Sequence, residues 1–185
     1  MLEEKGLNMR IYLVGGKARS GKDTISDFME EELKKQNKKV CRLQISSYIK
    51  YYATKYFGWD GREETKPRDL LINIGTNIIR EKIDENFHIN RLLQDIEVLS
   101  YFFDYFIVSD IRFPVEIEKV KEKYDDVVTI KMIRESDELN SSQKENRTET
   151  SLDNYNDFDY IINNNDSLDT LKNKALNVLR ESNDL

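Results

Sequence analysis

The 185-residue sequence predicts an α/β fold, in which a five-stranded parallel sheet carries helices on both faces. Five short apolar runs rich in β-prone residues alternate with segments whose apolar residues recur at helical spacing. A run such as Phe106-Ile107-Val108 is continuously apolar, as expected for a strand buried on both faces of a sheet. We therefore expect ligands to bind beyond the carboxyl ends of the strands.

The elements follow in chain order. Strands are predicted at residues 11–14, 40–45, 105–109, 127–133 and 160–162. Helices are predicted at residues 22–36, from Ser46 or Ser47 to Tyr56, from Pro67 onward, at 89–100, from Pro114 onward, and from Asp166 or Ser167 onward. The helix after Pro67 has a predicted buried stripe of Leu70, Leu71, Ile74 and Ile78, with Arg80 on its polar side. The last helix has a predicted inward face of Leu168, Leu171, Ala175, Val178 and Leu179.

Composition excludes several classes of protein. The net charge is −6 and no basic face dominates, which argues against a nucleic-acid binder. A single cysteine, Cys41, permits neither an internal disulfide nor a zinc cluster, and a single histidine, His88, disfavours a histidine-based triad. No apolar run approaches the ~20 residues of a membrane span, and the N-terminus lacks a signal-peptide pattern. These features predict a cytoplasmic protein without a membrane partner, either a monomer or a homodimer.

A glycine-rich turn directly follows the first strand. It reads Gly16-Lys17-Ala18-Arg19-Ser20-Gly21-Lys22-Asp23-Thr24, with the G-x-x-x-x-G-K spacing of a phosphate-binding P-loop. The glycines let successive N–H groups face one anion, the next helix adds its positive N-terminal dipole, and Lys22 supplies a point charge. We expect all nine residues to form a phosphate-binding loop, in a three-layer P-loop NTPase fold. The alternative is a glycine-rich turn without a ligand.

One position departs from the usual P-loop. Asp23 stands where a Ser or Thr usually meets Mg²⁺, and Thr24 follows it. Asp23 and Thr24 are therefore the candidate metal contacts.

A second candidate stretch is Ser109-Asp110-Ile111-Arg112. An acidic residue at the end of a buried strand, beside a P-loop, is a candidate Mg²⁺ contact or substrate ligand, and Arg112 can reach the same cleft. The alternative is a helix-capping aspartate with a solvated arginine.

Further basic residues fit phosphoryl transfer, in which positioning and charge compensation carry the rate. They are Arg62, Lys66, Arg68, Arg80, Arg134 and Arg147. Arg134 and Arg147 flank or lie in the polar stretch 135–156, which lacks apolar periodicity and is too long for a plain connection. We interpret residues 134–156 as a lid, residues 46–100 as an acceptor-binding helical region, and residues 1–9 as a flexible extension of a single domain at 10–185. The aromatic residues at 48–59 are expected to line the core or a groove, and one or two of them to stack on a nucleobase.

Taken together, these stretches resemble phage-type deoxynucleoside monophosphate kinases, a branch of the P-loop nucleoside monophosphate kinases. The resemblance spans residues 10 to 180 and rests on Ser20-Gly21-Lys22-Asp23-Thr24, Phe57-Gly58-Trp59, Leu71-Ile72-Asn73-Ile74-Gly75-Thr76 leading to Arg80, Ser109-Asp110-Ile111-Arg112-Phe113-Pro114-Val115-Glu116, and Asp159-Tyr160-Ile161-Ile162-Asn163-Asn164. The fourth stretch resembles the D-x-R-F-x-x-E pattern of that family. Phe87-His88 stands where the family pattern would have an aromatic such as Trp.

The resemblance implies ATP as the donor, Mg²⁺ as the metal and a (deoxy)nucleoside 5′-monophosphate as the acceptor. It implies catalytic roles for Lys22, Asp110 and Arg112, and substrate binding by Arg68, Arg80, Asp110 and Arg112. Arg134 and Arg147 would belong to the lid. Two alternatives stay open: a small-molecule kinase of the same fold that acts on phosphomevalonate or dephospho-coenzyme A, and a regulator that binds nucleotide without turnover.

Overall fold

The computed structural model describes residues 9–135 and 150–185. Most of the proposed lid, including Arg147, and all but Met9 of the proposed N-terminal extension lie outside the described residues. Met9 itself is buried in the core, so the packed part of the described chain already includes it.

Five strands and six main helical segments alternate along the described chain. The strands are β1 (Arg10–Gly16), β2 (Val40–Leu43), β3 (Tyr105–Ile111), β4 (Val127–Ile133) and β5 (Tyr160–Asn163). The helices are α1 (Lys22–Lys35), α2 (Ser47–Phe57), α3 (Arg68–Ile72), α4 (Phe87–Leu99), α5 (Pro114–Lys123) and α6 (Leu168–Glu181). A π-helix (Asn73–Ile83) continues α3 without a break.

The strands form one sheet in the order β2-β3-β1-β4-β5, and every adjacent pair is parallel. Alternate residues of β1 serve opposite faces of this sheet. Ile11 and Leu13 pack with residues of α4 and α5, whereas Tyr12 and Val14 pack with residues of α1 and α6. Both faces of the sheet are therefore buried, which is why its strands read as unbroken apolar runs. The predicted fold class is confirmed.

The carboxyl ends of β3 and β2, which lead into the site, differ from the sequence prediction. β3 runs two residues beyond Ser109, so Asp110 is part of the strand rather than the residue after it. β2 stops at Leu43, because the backbone N–H groups of Ile45 and Ser46 donate to the Asp110 carboxylate instead of to a neighbouring strand.

The predicted buried stripe on the third helical segment was wrong at Ile78, and its members Leu70 and Leu71 are only partly buried. Ile74 is buried as expected, but Ile78 is 38% exposed and Ile79 is 4% exposed. In a π-helix each backbone N–H bonds to the carbonyl oxygen five residues earlier, not four. The residue that lies on the same face as Ile74 is therefore Ile79, whereas in an α-helix it would be Ile78. The same shift brings Arg80 off the predicted polar side, and its side chain is only 10% exposed.

Two other apolar expectations were also wrong. Leu168 is 62% exposed because it is the first residue of α6, which joins the core only from Leu171 onward. Tyr51, Tyr56 and Phe57 are more than half exposed, because α2 buries only Ala53.

Candidate active site

The P-loop links β1 to α1 through backbone conformations that suit glycine. Gly16 and Gly21 have φ of 140° and 94°, and Arg19 between them also has a positive φ of 59°. A Cβ on Gly16 would collide with the carbonyl oxygen of Met132, and one on Gly21 would collide with the Asn164 amide. The loop is thus held tightly between the ends of β4 and β5, and its glycines are required by space as well as by conformation.

Lys22 opens α1 and is buried at the loop. Its Nζ donates to the carbonyl oxygen of Lys17 at 2.6 Å, so the ammonium lies across the turn. The hydroxyl of Ser20 is buried and has no hydrogen-bond partner within the described residues. A buried cation, a helix N-terminus and an unsatisfied hydroxyl in one turn have the chemistry of a phosphate site.

Asp23 faces solvent at the mouth of this turn, and its side chain is 70% exposed. Its Oδ1 accepts a hydrogen bond from the Ser109 hydroxyl at 2.9 Å and a longer one from Gln44 Nε2 at 3.4 Å. Arg42 Nη2 is 3.8 Å from the same oxygen. The carboxylate therefore connects the first turn of α1 to the end of β3, where an oxygen ligand for a hard cation is suitably placed.

Asp110 is held by the beginning of α2. Its Oδ1 accepts from Ile45 N at 2.7 Å, and its Oδ2 accepts from Ser46 N at 3.0 Å and Ser46 Oγ at 2.5 Å. The predicted side-chain N-cap of α2 is therefore absent at Ser46, because that hydroxyl donates to Asp110. These bonds hold Asp110 against the segment that leads into α2, and its catalytic role stays a prediction.

Glu116 was part of the stretch that resembles the family pattern, but no role was predicted for it. It is fully buried on the first turn of α5, and its carboxylate forms an ion pair with Arg80. The backbone N–H groups of Arg112 and Phe113 donate to its Oε2 at 2.8 and 3.1 Å. Burial raises the pKa of Glu116, and Arg80 and the two N–H donors oppose that rise. The available signal was its place as the final residue of the D-x-R-F-x-x-E stretch, three residues after Phe113, whose backbone N–H it caps.

Arg80 is engaged on three sides. Besides Glu116, it donates to the carbonyl oxygen of Glu85 at 3.3 Å, and its guanidinium lies 4.1 Å from the ring centroid of Phe113. Arg80 therefore shapes the wall of the site and contributes positive potential to it.

His88 was likewise missed as a site residue. It begins the buried face of α4, is 1% exposed, and its Nε2 lies 3.2 Å from the carbonyl oxygen of Gly75 in the π-helix. Burial lowers the pKa of His88, and the charge of Arg80 adds to this effect. Sequence alone gave no signal for it beyond an imidazole in place of an aromatic residue.

These residues meet around one cleft of about 460 Å³. From the P-loop and α1 it is lined by Ala18, Arg19, Lys22 and Asp23; from the π-helix by Gly75, Thr76 and Arg80; and from the end of β3 and α5 by Ser109, Asp110, Arg112, Phe113 and Glu116. Arg68 and Lys66 also line it and share the carboxylate of Glu63, at 3.0 and 2.8 Å. The structure thus brings together the predicted residues Lys22, Asp23, Arg68, Arg80, Asp110 and Arg112. None of the aromatic residues at 48–59 lines this cleft.

A second cavity of about 320 Å³ lies on the other side of the P-loop. It is lined by Gly16 and Lys17, by the end of β4 with Arg134, and by Leu152 and Asp153. Lys17 Nζ pairs with Asp153 at 3.0 Å, and Lys131 Nζ donates to the carbonyl oxygen of Leu152 at 2.7 Å. Arg134 is therefore separated from the main cleft by the P-loop, and its lid role stays a prediction.

The sheet order, the P-loop and the cleft together place this chain in the class of P-loop kinases. The model of the deoxynucleotide monophosphate kinase family matches residues 41–175, and the chain belongs to that family. The matched residues begin after the P-loop, so the loop and the family match are independent observations. The chain is accordingly a phosphotransferase of the P-loop type.

Solved structures support the fold. The APS kinase of Mycobacterium tuberculosis in complex with AMPPNP and APS is similar at 11% identity and a TM-score of 0.56, covering 93% of this chain and 98% of that one. A sugar kinase from Janibacter sp. gives 13% identity and a TM-score of 0.58, covering 93% and 95%. The shikimate kinase of Aquifex aeolicus gives 16% identity and a TM-score of 0.53, covering 95% and 98%.

A comparison with curated protein sequences gave no match. Among the described residues, no helix is both long enough and apolar enough to cross a membrane.

Proposed function

We propose that this chain transfers the γ-phosphate of ATP to a (deoxy)nucleoside 5′-monophosphate and releases a diphosphate. The observation that supports it best is the single cleft that Lys22 of the P-loop segment lines together with Lys66 and Arg68 of the segment before the π-helix. A phosphoryl transfer needs two polyanions end to end, and this cleft has a cationic group for each. The family match supports the choice of acceptor.

On the donor side, the loop residues from Gly16 to Thr24 would bind the ATP phosphates. Lys22 would exchange the Lys17 carbonyl for the outer phosphate oxygens, since an ammonium in a buried turn gains more from an anion than from a neutral carbonyl. The backbone N–H groups of the loop and the start of α1 would add directed positive charge.

Mg²⁺ fits the oxygen donors at the mouth of the P-loop. Within the described residues no group of three or more His, Cys, Asp or Glu side chains could hold a metal ion. Mg²⁺ commonly takes only one or two carboxylates and completes its shell with water and substrate phosphates. Asp23 and Thr24 would hold it there, and it would neutralise charge on the outer phosphates of the donor.

On the acceptor side, Arg112 and Arg68 would contact the acceptor phosphate, with Arg80 adding potential from the wall. The acceptor oxygen is already ionised at neutral pH, so we assign no general base. Asp110 then acts by fixing the beginning of α2 against β3. Arg134 and Arg147 would close from the lid and exclude water from the transferred group.

A coupled assay of ADP release with a panel of acceptors tests the proposal. We expect ATP turnover that depends on one or a few (deoxy)nucleoside monophosphates, with little release from ATP alone. Phosphomevalonate and dephospho-coenzyme A belong in the panel, since turnover with either would replace the proposed acceptor class. Tight ATP binding without turnover on any acceptor would instead favour a nucleotide-binding regulator, for which Asp23 at the usual Ser/Thr position is the supporting feature.

A further inference from the structure

The π-helix packs on its neighbours at Gly75. This residue is buried, and a Cβ there would lie 2.6 Å from Cδ1 of Ile49 on α2 and 3.9 Å from Nε2 of His88 on α4. Gly75 is thus the point at which α2, the π-helix and α4 meet. Gly75 and Thr76 face the cleft from this point, and Arg80 follows one π-turn later.

The hydrogen bond between His88 and Gly75 fixes which nitrogen of the imidazole carries the proton. The Gly75 carbonyl oxygen can only accept, so Nε2 must donate across the 3.2 Å separation. Nδ1 then carries the lone pair, and it has no hydrogen-bond partner within the described residues. Burial lowers the pKa of His88 and so favours this neutral ring, which links α4 as a hydrogen-bond donor to one carbonyl of the π-helix.

The acceptor of this hydrogen bond lies within the π-helix, whose shifted hydrogen-bond register has to be stabilised by contacts with other elements. π-turns are rare and are found mostly as local features at functional sites, so their shifted register depends on tertiary contacts. On either side of Gly75, the buried residues Ile74 and Thr76 also hold the segment in place. A polar contact to the backbone of the segment itself selects its register in a way that apolar packing alone does not.

We propose that His88 is a positioning residue for the acceptor site: by donating to Gly75 it holds the π-register that places Thr76 and Arg80 on the wall of the cleft. The proposal rests on the proposed function for its kinetic consequence. Its structural consequence, a π-helix that depends on His88, is independent of the acceptor's identity.

Two variants at one position separate the hydrogen bond from the volume of the side chain. His88→Gln keeps an amide N–H donor at about the place of Nε2, whereas His88→Leu keeps an apolar body without a donor. Tyr48→Phe is the matched control, because it removes the 2.9 Å hydrogen bonds from α2 to Asp95 on the same helix α4, and neither residue lines the cleft. Each variant would be measured for KM of the acceptor, KM of ATP, kcat, and backbone hydrogen exchange.

We expect His88→Leu to raise the acceptor KM about tenfold and to leave the KM of ATP within about twofold, as for the loss of one buried hydrogen bond. His88→Gln should restore most of the acceptor affinity. Hydrogen exchange of Asn73–Ile83 should accelerate in His88→Leu, while the central strands stay protected, and Tyr48→Phe should leave both the acceptor KM and this exchange unchanged.

Other results would overturn the proposal. An unchanged exchange rate of the π-helix in His88→Leu would do so even if no acceptor is ever found, since this readout does not need turnover. Equal rises in both KM values, or an equal effect of His88→Gln and His88→Leu, would reduce His88 to ordinary packing. Absence of acceptor-dependent turnover in the unmodified protein, together with faster exchange in His88→Leu, would refute the proposed function and leave the role of His88 in the π-helix standing.

Discussion

At the scale of single residues, the proposed phosphate site depends most on Lys22. It is buried at the loop, and its ammonium donates a hydrogen bond to the neutral carbonyl of Lys17. A buried ammonium of this kind is stabilised strongly when an anion enters the turn.

Replacing Lys22 by Ala should therefore lower kcat/KM by at least about a hundredfold, since directed charge on the transferred group is lost. The fold should persist, with an unchanged circular dichroism spectrum. Lys35→Ala, on the exposed end of the same helix, is the control and should keep full activity. Retained turnover in Lys22→Ala would show that this loop is not the donor site.

The buried pair of Glu116 and Arg80 is the second residue-scale feature with a measurable consequence. Removing one member of a buried ion pair leaves the other charge uncompensated, which costs about 3–5 kcal/mol. Glu116→Ala should lower the free energy of unfolding by about this amount, measured by chemical denaturation. Glu118→Ala, on the exposed face of the same helix, should change it by less than about 0.5 kcal/mol. Similar small losses in both variants would mean that the pair is not formed.

At the scale of elements, the π-helix differs from the helix that the sequence predicts. The 3.6-residue period predicted Ile74 and Ile78 as neighbours on one face, whereas the structure buries Ile74 and Ile79. Helical periodicity assumes an α-helix, and nothing in the composition of residues 73–83 indicates otherwise. The register is set by tertiary contacts at Gly75, which a local pattern does not contain.

A pair of neighbouring substitutions tests this register directly. Ile79→Ala should cost about 2–5 kcal/mol of stability, and Ile78→Ala less than about 1 kcal/mol, because only the former leaves a cavity. Thermal unfolding of both variants under the same conditions provides the comparison. The reverse order of costs would indicate an ordinary α-helix.

Other elements were predictable for identifiable reasons. The strand β4 was predicted with the correct bounds, since Val127–Ile133 is a β-prone run that ends where the polar stretch begins. The P-loop was predictable because its glycine spacing is dictated by local conformation. The contacts of Asp110, Glu116 and His88 were not, because each partner lies at least one element away in the chain and a single sequence carries no record of such pairs.

At the scale of the whole molecule, the C-terminal residues close the sheet at the end opposite to the site. Asp184 is buried and accepts hydrogen bonds from Tyr12 and from Tyr105, the latter at 2.9 Å, and Arg10 lies 3.3 Å from it. Burial and Asp184 raise the pKa of Tyr105 to about 12. These contacts join the segment after α6 to β1 and β3, away from the main cleft.

Replacing Asp184 by Ala should lower the free energy of unfolding by about 3 kcal/mol, because it leaves Arg10 and two hydroxyl groups without their acceptor. The KM values of both substrates should stay within about twofold.

The raised pKa of Tyr105 predicts that stability depends on pH. Below about pH 10 the contribution of Tyr105 to the free energy of unfolding is fully present, and it is lost as the pH rises towards about 12. An alkaline limb of the same size in Tyr105→Phe would contradict that assignment.

A labelling experiment most directly tests phosphoryl transfer between two substrates in one cleft. ATP carrying a radiolabel on its γ-phosphate would be incubated with the protein, Mg²⁺ and the monophosphate that gives the highest turnover, and the products would be separated. We expect the label to appear in the β-phosphate of the corresponding nucleoside diphosphate, at the rate of ADP release, and Lys22→Ala to abolish it. Label recovered only as inorganic phosphate, or only in ATP, would show that the protein does not transfer the γ-phosphate to this acceptor.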